Sequence, residues 1–246
     1  VGHWTPFGHL VVNLARQIRP GEVVFTGVNS EPAMLACLLA RHAYAYDFDY
    51  TYLSVAGGVD PQPDEAPASS SDPGLCARSP AIFANPDFYD LCLRGALDLC
   101  FLGCAQVDAL GRTNVSTIGP WHEPRVRLPG GGGAVIMLPT ARRAVTWRSE
   151  HSPRTLVERL DFVTAAGRMA AVVTPLAVFE RDPDEAGARL RLASWNPAAP
   201  LDEVRARTGF AFDAAGAMPT APITAAEQQA LERLDPAGAF AARHSG

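Results

Sequence analysis

The chain has 246 residues, 48% of them hydrophobic and 19% charged, with a formal net charge of −5. That is ordinary globular composition, with length for one large domain or two small ones. All 21 basic residues are arginine, which excludes a lysine Schiff base and a GxxxxGK[ST] phosphate loop, and the acidic balance offers no basic face to nucleic acid.

Phe7, Leu10, Val11, Leu14 and Ile18 recur at helical spacing over 6–19, and Pro20-Gly21 stops the pattern. EVVFTG (22–27) reads as the first strand. Ser30 is then the expected N-cap of a helix through PAMLACLLARHA, with Glu31 and Pro32 in a first turn that favours acid and proline. A second strand is expected at YTYLSVAG (50–57). Residues 60–80 contain five prolines and four serines, so they predict a loop, long enough in a compact domain to be functional or disordered. A helix over 86–97 would turn Phe88, Leu91, Cys92 and Leu97 inward. LDLCFLG (97–103) lacks alternation, the mark of a strand covered on both faces. AQVDALGRTNVSTIG (105–119) predicts two short strands turning at Leu110-Gly111-Arg112. Further strands are expected at 144–149, 156–164, 170–180 and 189–196. Helices follow over 201–207 and 224–234, the second with Thr224 and Glu227 at capping-box spacing. The recurring β-then-α order predicts one α/β domain over residues 1–246 with a mostly parallel sheet.

The glycine run Gly130-Gly131-Gly132-Gly133, followed by Ala134, is the first candidate for chemistry. Consecutive glycines let backbone amides approach a ligand closely. With no GxGxxG spacing and no helix expected after it, a plain turn between strands fits the same residues. Gln106, Asp108 and Asn114 are placed to converge beyond a strand end, where open α/β sheets bind ligands; Asp108 and Asn114 equally serve as turn formers. The six histidines show no HxxxH, HxH or HxE spacing, so no metal site is expected. His151, beside Glu150 and near Arg154, reads as a structural group in preference to a general base. Cys37, Cys76, Cys92, Cys100 and Cys104 form no CxxC pair, and a reduced, cytoplasmic protein is the expectation. No apolar run approaches the roughly 18–20 residues that cross a bilayer, and no signal-peptide pattern opens the chain. Neither membrane nor nucleic acid is expected as a partner.

Four strings, in this order and spacing, carry a resemblance: FLGCAQVDALGRTNVS, VRLPGGGGA, HSPRTLVERLDFVT and VVTPLAVFE. They resemble the β subunit of family I CoA-transferases, in the manner of the glutaconate CoA-transferase branch, and PITAAEQQALERLDP is similar to that family's C-terminal helix. The resemblance spans roughly residues 8–236. It implies a three-layer α/β/α domain and an α-subunit partner of similar fold in a heterodimer or heterotetramer, with the active site between the two. It also implies an acyl-CoA substrate, so that coenzyme A enters with the substrate and no cofactor is held permanently. Gly130, Gly131, Gly132, Gly133 and Ala134 then resemble the segment that lines the thioester end of CoA, and Gln106 is expected near that cleft.

One departure governs the chemistry. Transferases of this branch carry a nucleophilic Glu in a Tyr-Glu-Ser-Gly type motif, whereas this chain reads Thr51-Tyr52-Leu53-Ser54-Val55-Ala56-Gly57-Gly58. Leu53 stands where the Glu would be, and leucine is no nucleophile. The nearest acids are Asp60 downstream and Glu31 upstream, the latter already explained by a helix first turn. Ser54 is a weak catalytic candidate. Two lineages resemble this chain in lacking the Glu: steroid-ring-cleaving acyl-CoA hydrolases and 3-methylglutaconyl-CoA decarboxylases. The second carries a cysteine where this chain has Val55, and Pro175 replaces an Asp usual in the family. The expectation is C–C bond hydrolysis or decarboxylation of an acyl-CoA; the alternatives are genuine CoA transfer between carboxylic acids and a non-catalytic CoA-binding subunit. Arg125, Arg127, Arg142 and Arg143 flank the glycine run and are the candidates for gripping CoA phosphates.

Overall fold

The computed structural model describes residues 5–44 and 48–244. The helices are α1 (Pro6–Ala15), α2 (Glu31–Ala43), α3 (Gly74–Ala77), α4 (Asn85–Leu93), α5 (Ala134–Thr140), α6 (Leu201–Arg207), α7 (Ala225–Leu234) and α8 (Ala239–His244). The strands begin with β1 (Val23–Thr26), β2 (Thr51–Ser54), β3 (Gly58–Val59), β4 (Ala81–Ile82) and β5 (Leu99–Gly103). Two small hairpins follow, β6 (Gln106–Val107) with β7 (Thr113–Asn114) and β8 (Thr117–Ile118) with β9 (Val126–Arg127). The remaining strands are β10 (Arg143–Trp147), β11 (Met169–Val173), β12 (Ala177–Glu180), β13 (Arg191–Trp195) and β14 (Met218–Pro219).

The main sheet runs β14-β13-β12-β11-β10-β5-β1-β2-β3-β4. Its centre, β11-β10-β5-β1-β2, is parallel, while β12 and β13 on one side and β3 and β4 on the other join antiparallel. Strand β5 explains why the centre must be covered twice. Leu99 and Phe101 enter one core with α1, α2, α7 and α8; Cys100 and Leu102 enter the other with α4 and α5. The result is the three-layer α/β/α domain implied by the resemblance. Helix α2 is buried from Pro32 to Ala40, sandwiched between α1 and α7. Thr224 caps α7 by accepting from the Glu227 amide at 3.2 Å, and the Glu227 carboxylate returns to the Thr224 amide at 2.8 Å, completing the expected capping box.

Several expectations are corrected. Residues 156–164 form no strand. Their one isolated bridge joins Leu156 to Val107, with a second just beyond them from Ala165 to Thr113, because Leu156, Val157 and Leu160 are buried as a strap over the β6–β7 hairpin. A helix does follow the glycine run: α5 begins at Ala134 with Gly133 as its N-cap, although Pro139 lies inside it. Ser30 occupies the N-cap of α2, but its hydroxyl donates to the Val28 carbonyl at 3.3 Å and leaves the helix uncapped by a side chain. Helix α4 stops at Leu93, and Gly95 takes a positive φ of 68° to terminate it, so Leu97 is buried beyond the helix. The loop at 60–80 is pinned. Ser70 is fully buried, accepting from the Ser30 amide at 3.0 Å and donating to the Gly27 carbonyl at 3.1 Å.

Candidate functional site

The carboxyl ends of β1 and β5 open into a cleft with two lobes. One lobe, of about 340 Å³, is walled by the β1–α2 turn (Gly27, Val28, Asn29, Ser30), by Phe101-Leu102-Gly103 and by Gly130–Ala134. The other, of about 300 Å³, runs on from shared walls at Val28, Asn29, Gly103, Val115 and Pro129 to Cys104, Trp147 and Arg148. Open α/β sheets bind ligands at this position, beyond the carboxyl ends of adjacent parallel strands.

The glycine run requires glycine at two of its four positions and is crowded by side chains at the other two. Gly130 and Gly132 have φ of 96° and 47°, where an L side chain is strained. A Cβ on Gly131 would lie 2.5 Å from Val135, and one on Gly133 would lie 2.8 Å from Met137. The Gly130 amide is used, donating to the Val115 carbonyl at 2.7 Å. The amides of Gly131, Gly132 and Gly133 have no acceptor among the described residues. The run is therefore a set of backbone donors beside a cleft, and it does more than turn the chain.

The other candidates divide. Leu53 is buried on the α4/α5 side, packed with Phe25, Phe88 and Met137; it lies beneath the glycine lobe and does not line it. Ser54 is fully buried, and its hydroxyl accepts from the Ala56 amide at 3.2 Å, holding the turn after β2. Gln106 is buried with its amide committed: its oxygen accepts from Asn114 Nδ2 at 2.7 Å, and its Nε2 donates to Asp161 at 3.3 Å. It braces the β6–β7 hairpin behind the cleft. Asp108 serves its turn, accepting from Arg112 Nε at 2.7 Å. Asp60 is paired with Arg41 at 2.5 Å and accepts from the Tyr52 amide. Glu31 sits in the first turn of α2 facing the Ser70 amide. His151 is buried between Thr174 Oγ1 at 2.7 Å and Thr208 Oγ1 at 3.0 Å, and desolvation first, then the Arg207 charge, lower its pKa to about 3. It is a structural group.

The arginines expected to flank the glycine run do not stay together. Helix α5 carries the chain back along the sheet, so Arg142 and Arg143 emerge at its opposite, amino end. There Arg143 is buried in a bidentate pair with Glu22, at 2.7 and 2.8 Å, and Arg142 faces Asp98 at 3.3 Å. Arg127 stacks on Trp121 at 4.7 Å from the ring centroid, and Arg125 is exposed on the same hairpin.

Three cleft residues are not signalled by any motif. Asn29 lines both lobes and holds a positive φ of 50°, a conformation asparagine tolerates better than most residues. Its one signal is position, the first turn between a strand end and a helix. Trp147 and Arg148 end β10 and line the second lobe; their strand is legible in the residues, but the neighbour that places its end beside Gly103 is not. Cys104, in the same lobe, has its thiol pKa raised by burial, against the lowering effects of Thr146 and Arg148. Among the described residues no group of His, Cys, Asp and Glu is arranged to hold a metal ion, and no helix is long and apolar enough to cross a membrane.

Known proteins share this architecture. The model of the Coenzyme A transferase family matches residues 9–207. The chain is 28% identical to the B-type subunit of 3-oxoadipate CoA-transferase from Pseudomonas knackmussii, covering 92% of this chain and 91% of that one. It is also 28% identical to the B-type subunit of glutaconate CoA-transferase from Acidaminococcus fermentans, over 93% and 92% of the two chains. Among solved structures, the decarboxylase AibA/AibB superposes with a TM-score of 0.89 at 35% identity, covering 99% of this chain and all of that one. Glutaconate CoA-transferase from Acidaminococcus fermentans superposes with a TM-score of 0.83 at 27% identity, over 96% and 97% of the two chains. With its three-layer fold and its glycine-lined cleft at the strand ends, the chain belongs to the Coenzyme A transferase family and is homologous to its B-type subunits.

Proposed function

We propose that this chain is the β-type subunit of a heteromeric enzyme that breaks a C–C bond of an acyl-CoA, by decarboxylation or hydrolysis, and forms no glutamyl thioester on this chain. The observation that carries the reading is the lining of the cleft: among the described residues it contains no aspartate and no glutamate. Leu53, where the resemblance expects the nucleophile, is packed apolar. What the cleft does offer is the row of unclaimed amides at Gly131–Gly133. Breaking a C–C bond next to a thioester leaves its electron pair delocalised onto the thioester oxygen. Fixed amide donors stabilise such an oxyanion better than mobile water does.

The general base and the rest of the wall belong to an α-type partner in a heterodimer or heterotetramer. Exposed Val28 and Val135 beside the cleft, and the exposed Trp121 stacked on Phe162 at 4.5 Å, give such a partner an apolar rim to cover. Coenzyme A arrives as part of the substrate, and the reaction needs no resident cofactor. The free cysteines suit a cytoplasmic setting.

The relatives that transfer CoA supply the competing reading, and intact-mass analysis separates the two. After incubation of the assembled enzyme with acyl-CoA, this chain should keep its unmodified mass while an acyl-CoA that has lost CO2, or has gained water across a cleaved C–C bond, accumulates. A CoA adduct on this chain, with the acyl group moved intact to an acceptor acid, would replace C–C cleavage with CoA transfer.

A further inference from the structure

We infer that the loop at 60–80 is a strut for the cleft and that Ser70 is its positioning residue: the Ser70 hydroxyl holds the β1–α2 turn open and so presents the Asn29 side chain to the thioester of the substrate. The inference rests on the acyl-CoA reading above and adds what the long loop does for it.

The turn is Gly27-Val28-Asn29-Ser30. A four-residue turn often closes with its last N–H donating to its first C=O. Here the Ser70 hydroxyl stands between those two groups, accepting from the Ser30 amide at 3.0 Å and donating to the Gly27 carbonyl at 3.1 Å. Ser70 and Ser30 are both buried, so the two backbone groups depend on that hydroxyl. Without it, the Ser30 N–H regains a partner by meeting the Gly27 carbonyl directly. That closes the turn and draws Val28 and Asn29 back from the cleft.

The loop is anchored on both sides of Ser70. Before it, the Ala66 amide donates to the Leu234 carbonyl at the end of α7 at 3.0 Å, and Arg243 of α8 donates to the Ala68 carbonyl at 3.1 Å. After it, Leu75 is buried with its carbonyl against Gly58 of β3, where a Cβ would not fit, and the Cys76 thiol donates to the Ala56 carbonyl at 3.0 Å. Ser70 is thus fixed by elements other than the turn it holds. Asn29 is what the turn presents. It is exposed at the wall shared by the two lobes, and its carboxamide makes no hydrogen bond to any described residue. The thioester oxygen is the acceptor that every acyl-CoA carries to that wall, and a carboxamide N–H suits it. Such a donor helps only if its backbone is held in place beforehand.

The test is equilibrium binding to the native complex, isolated through this chain, with three probes: butyryl-CoA, its thioether analogue S-butyl-CoA, which lacks the carbonyl oxygen, and free CoA. The native complex should prefer butyryl-CoA over S-butyl-CoA by about tenfold or more, the scale of two or more fixed hydrogen bonds. Asn29→Gly removes the carboxamide at a positive φ that glycine adopts freely, and should lower that ratio about fivefold. Ser70→Ala should lower it by a similar factor, with free CoA bound as before, and the double variant should lose no more than either single one. Ser70→Cys, which keeps the size and offers a weaker donor, should give an intermediate ratio and answers for a Ser70→Ala complex that fails to assemble. Losses that multiply in the double variant would show that Ser70 does not act through Asn29 and would overturn the inference. So would equal weakening of all three probes by Ser70→Ala, which would leave the loop a merely structural part. A native ratio near one would overturn it and leave the acyl-CoA reading standing. No binding of any probe would overturn both.

Discussion

The two ends of the central sheet hold cavities of opposite character. At the amino end lies the larger, about 660 Å³, ringed by Arg142, Arg143, Arg168, Glu22, Asp98 and Asp184. Three of its arginines are matched, Arg143 with Glu22, Arg142 with Asp98, and Arg168 with Asp184 at 2.6 Å, while the Arg181 Nε on the same wall is buried with no partner among the described residues. The carboxyl end holds the smaller cleft, where among the described residues no acid lines the wall and amide, indole and guanidinium nitrogens have no partner. Size alone selects the amino end, against the proposed function. A polar network whose donors and acceptors are paired is scaffold, whereas donors without acceptors in a buried cleft mark where a ligand completes the structure.

The contrast between the ends is most severely tested at the amino end. Glu22→Ala strands the buried Arg143 guanidinium and should cost about 3–5 kcal/mol in urea unfolding, with CoA affinity unchanged. A loss of affinity at full stability would dissolve the distinction. Next comes the interior, where His9 and His151 are buried on either side of Thr174. Desolvation is the leading cause that lowers their pKa values, to about 4 and about 3. In the unfolded chain they take up protons near pH 6.5, so stability is full above that pH and falls as acid favours the unfolded state. The two together should cost about 3 kcal/mol between pH 6.5 and 5. Denaturation followed across that range should show the slope, and His151→Gln should remove about half of it.

At the carboxyl end, Gly132→Val places a β-branched residue at φ 47° and displaces the neighbouring amides. It should weaken CoA binding about tenfold or more by calorimetry, with a stability loss of about 1–2 kcal/mol. Unchanged affinity would remove the glycine run from the site. The smallest effect is expected at Arg142→Ala. Its side chain is 72% exposed and its pair with Asp98 is long, so stability should move by less than about 0.5 kcal/mol and CoA binding not at all. Weakened binding there would return the CoA phosphates to the amino end.

Periodicity exposes what local patterns determine. The covered strand at Leu99–Gly103, the turn at Gly111 (φ 73°) and the Thr224–Glu227 capping box all stand where the residues indicate. It fails where tertiary partners decide. Leu156 to Thr164 reads as a short β segment, yet its apolar residues bury against a hairpin, and isolated bridges at Leu156 and at Ala165 replace a ladder. Helix α5 is hidden because a glycine run before it and Pro139 within it both argue against helix. Without that helix, Arg142 and Arg143 are misplaced by the full height of the sheet. The glycine run is legible as a candidate from its composition. Trp147 and Arg148 are not, because an unpaired donor is visible only once every possible partner has been placed.

The position of Trp147 also gives the molecule an optical handle. Its indole is shielded from solvent against Gly103 at the wall of the cleft, while Trp121 is exposed and Trp195 partly so. Emission from the shielded indole lies to the blue of the exposed one and responds to any charge brought close to its nitrogen edge. The fold thus carries an intrinsic fluorophore at the cleft, and occupancy of the second lobe becomes a change in colour and intensity of the protein's own light.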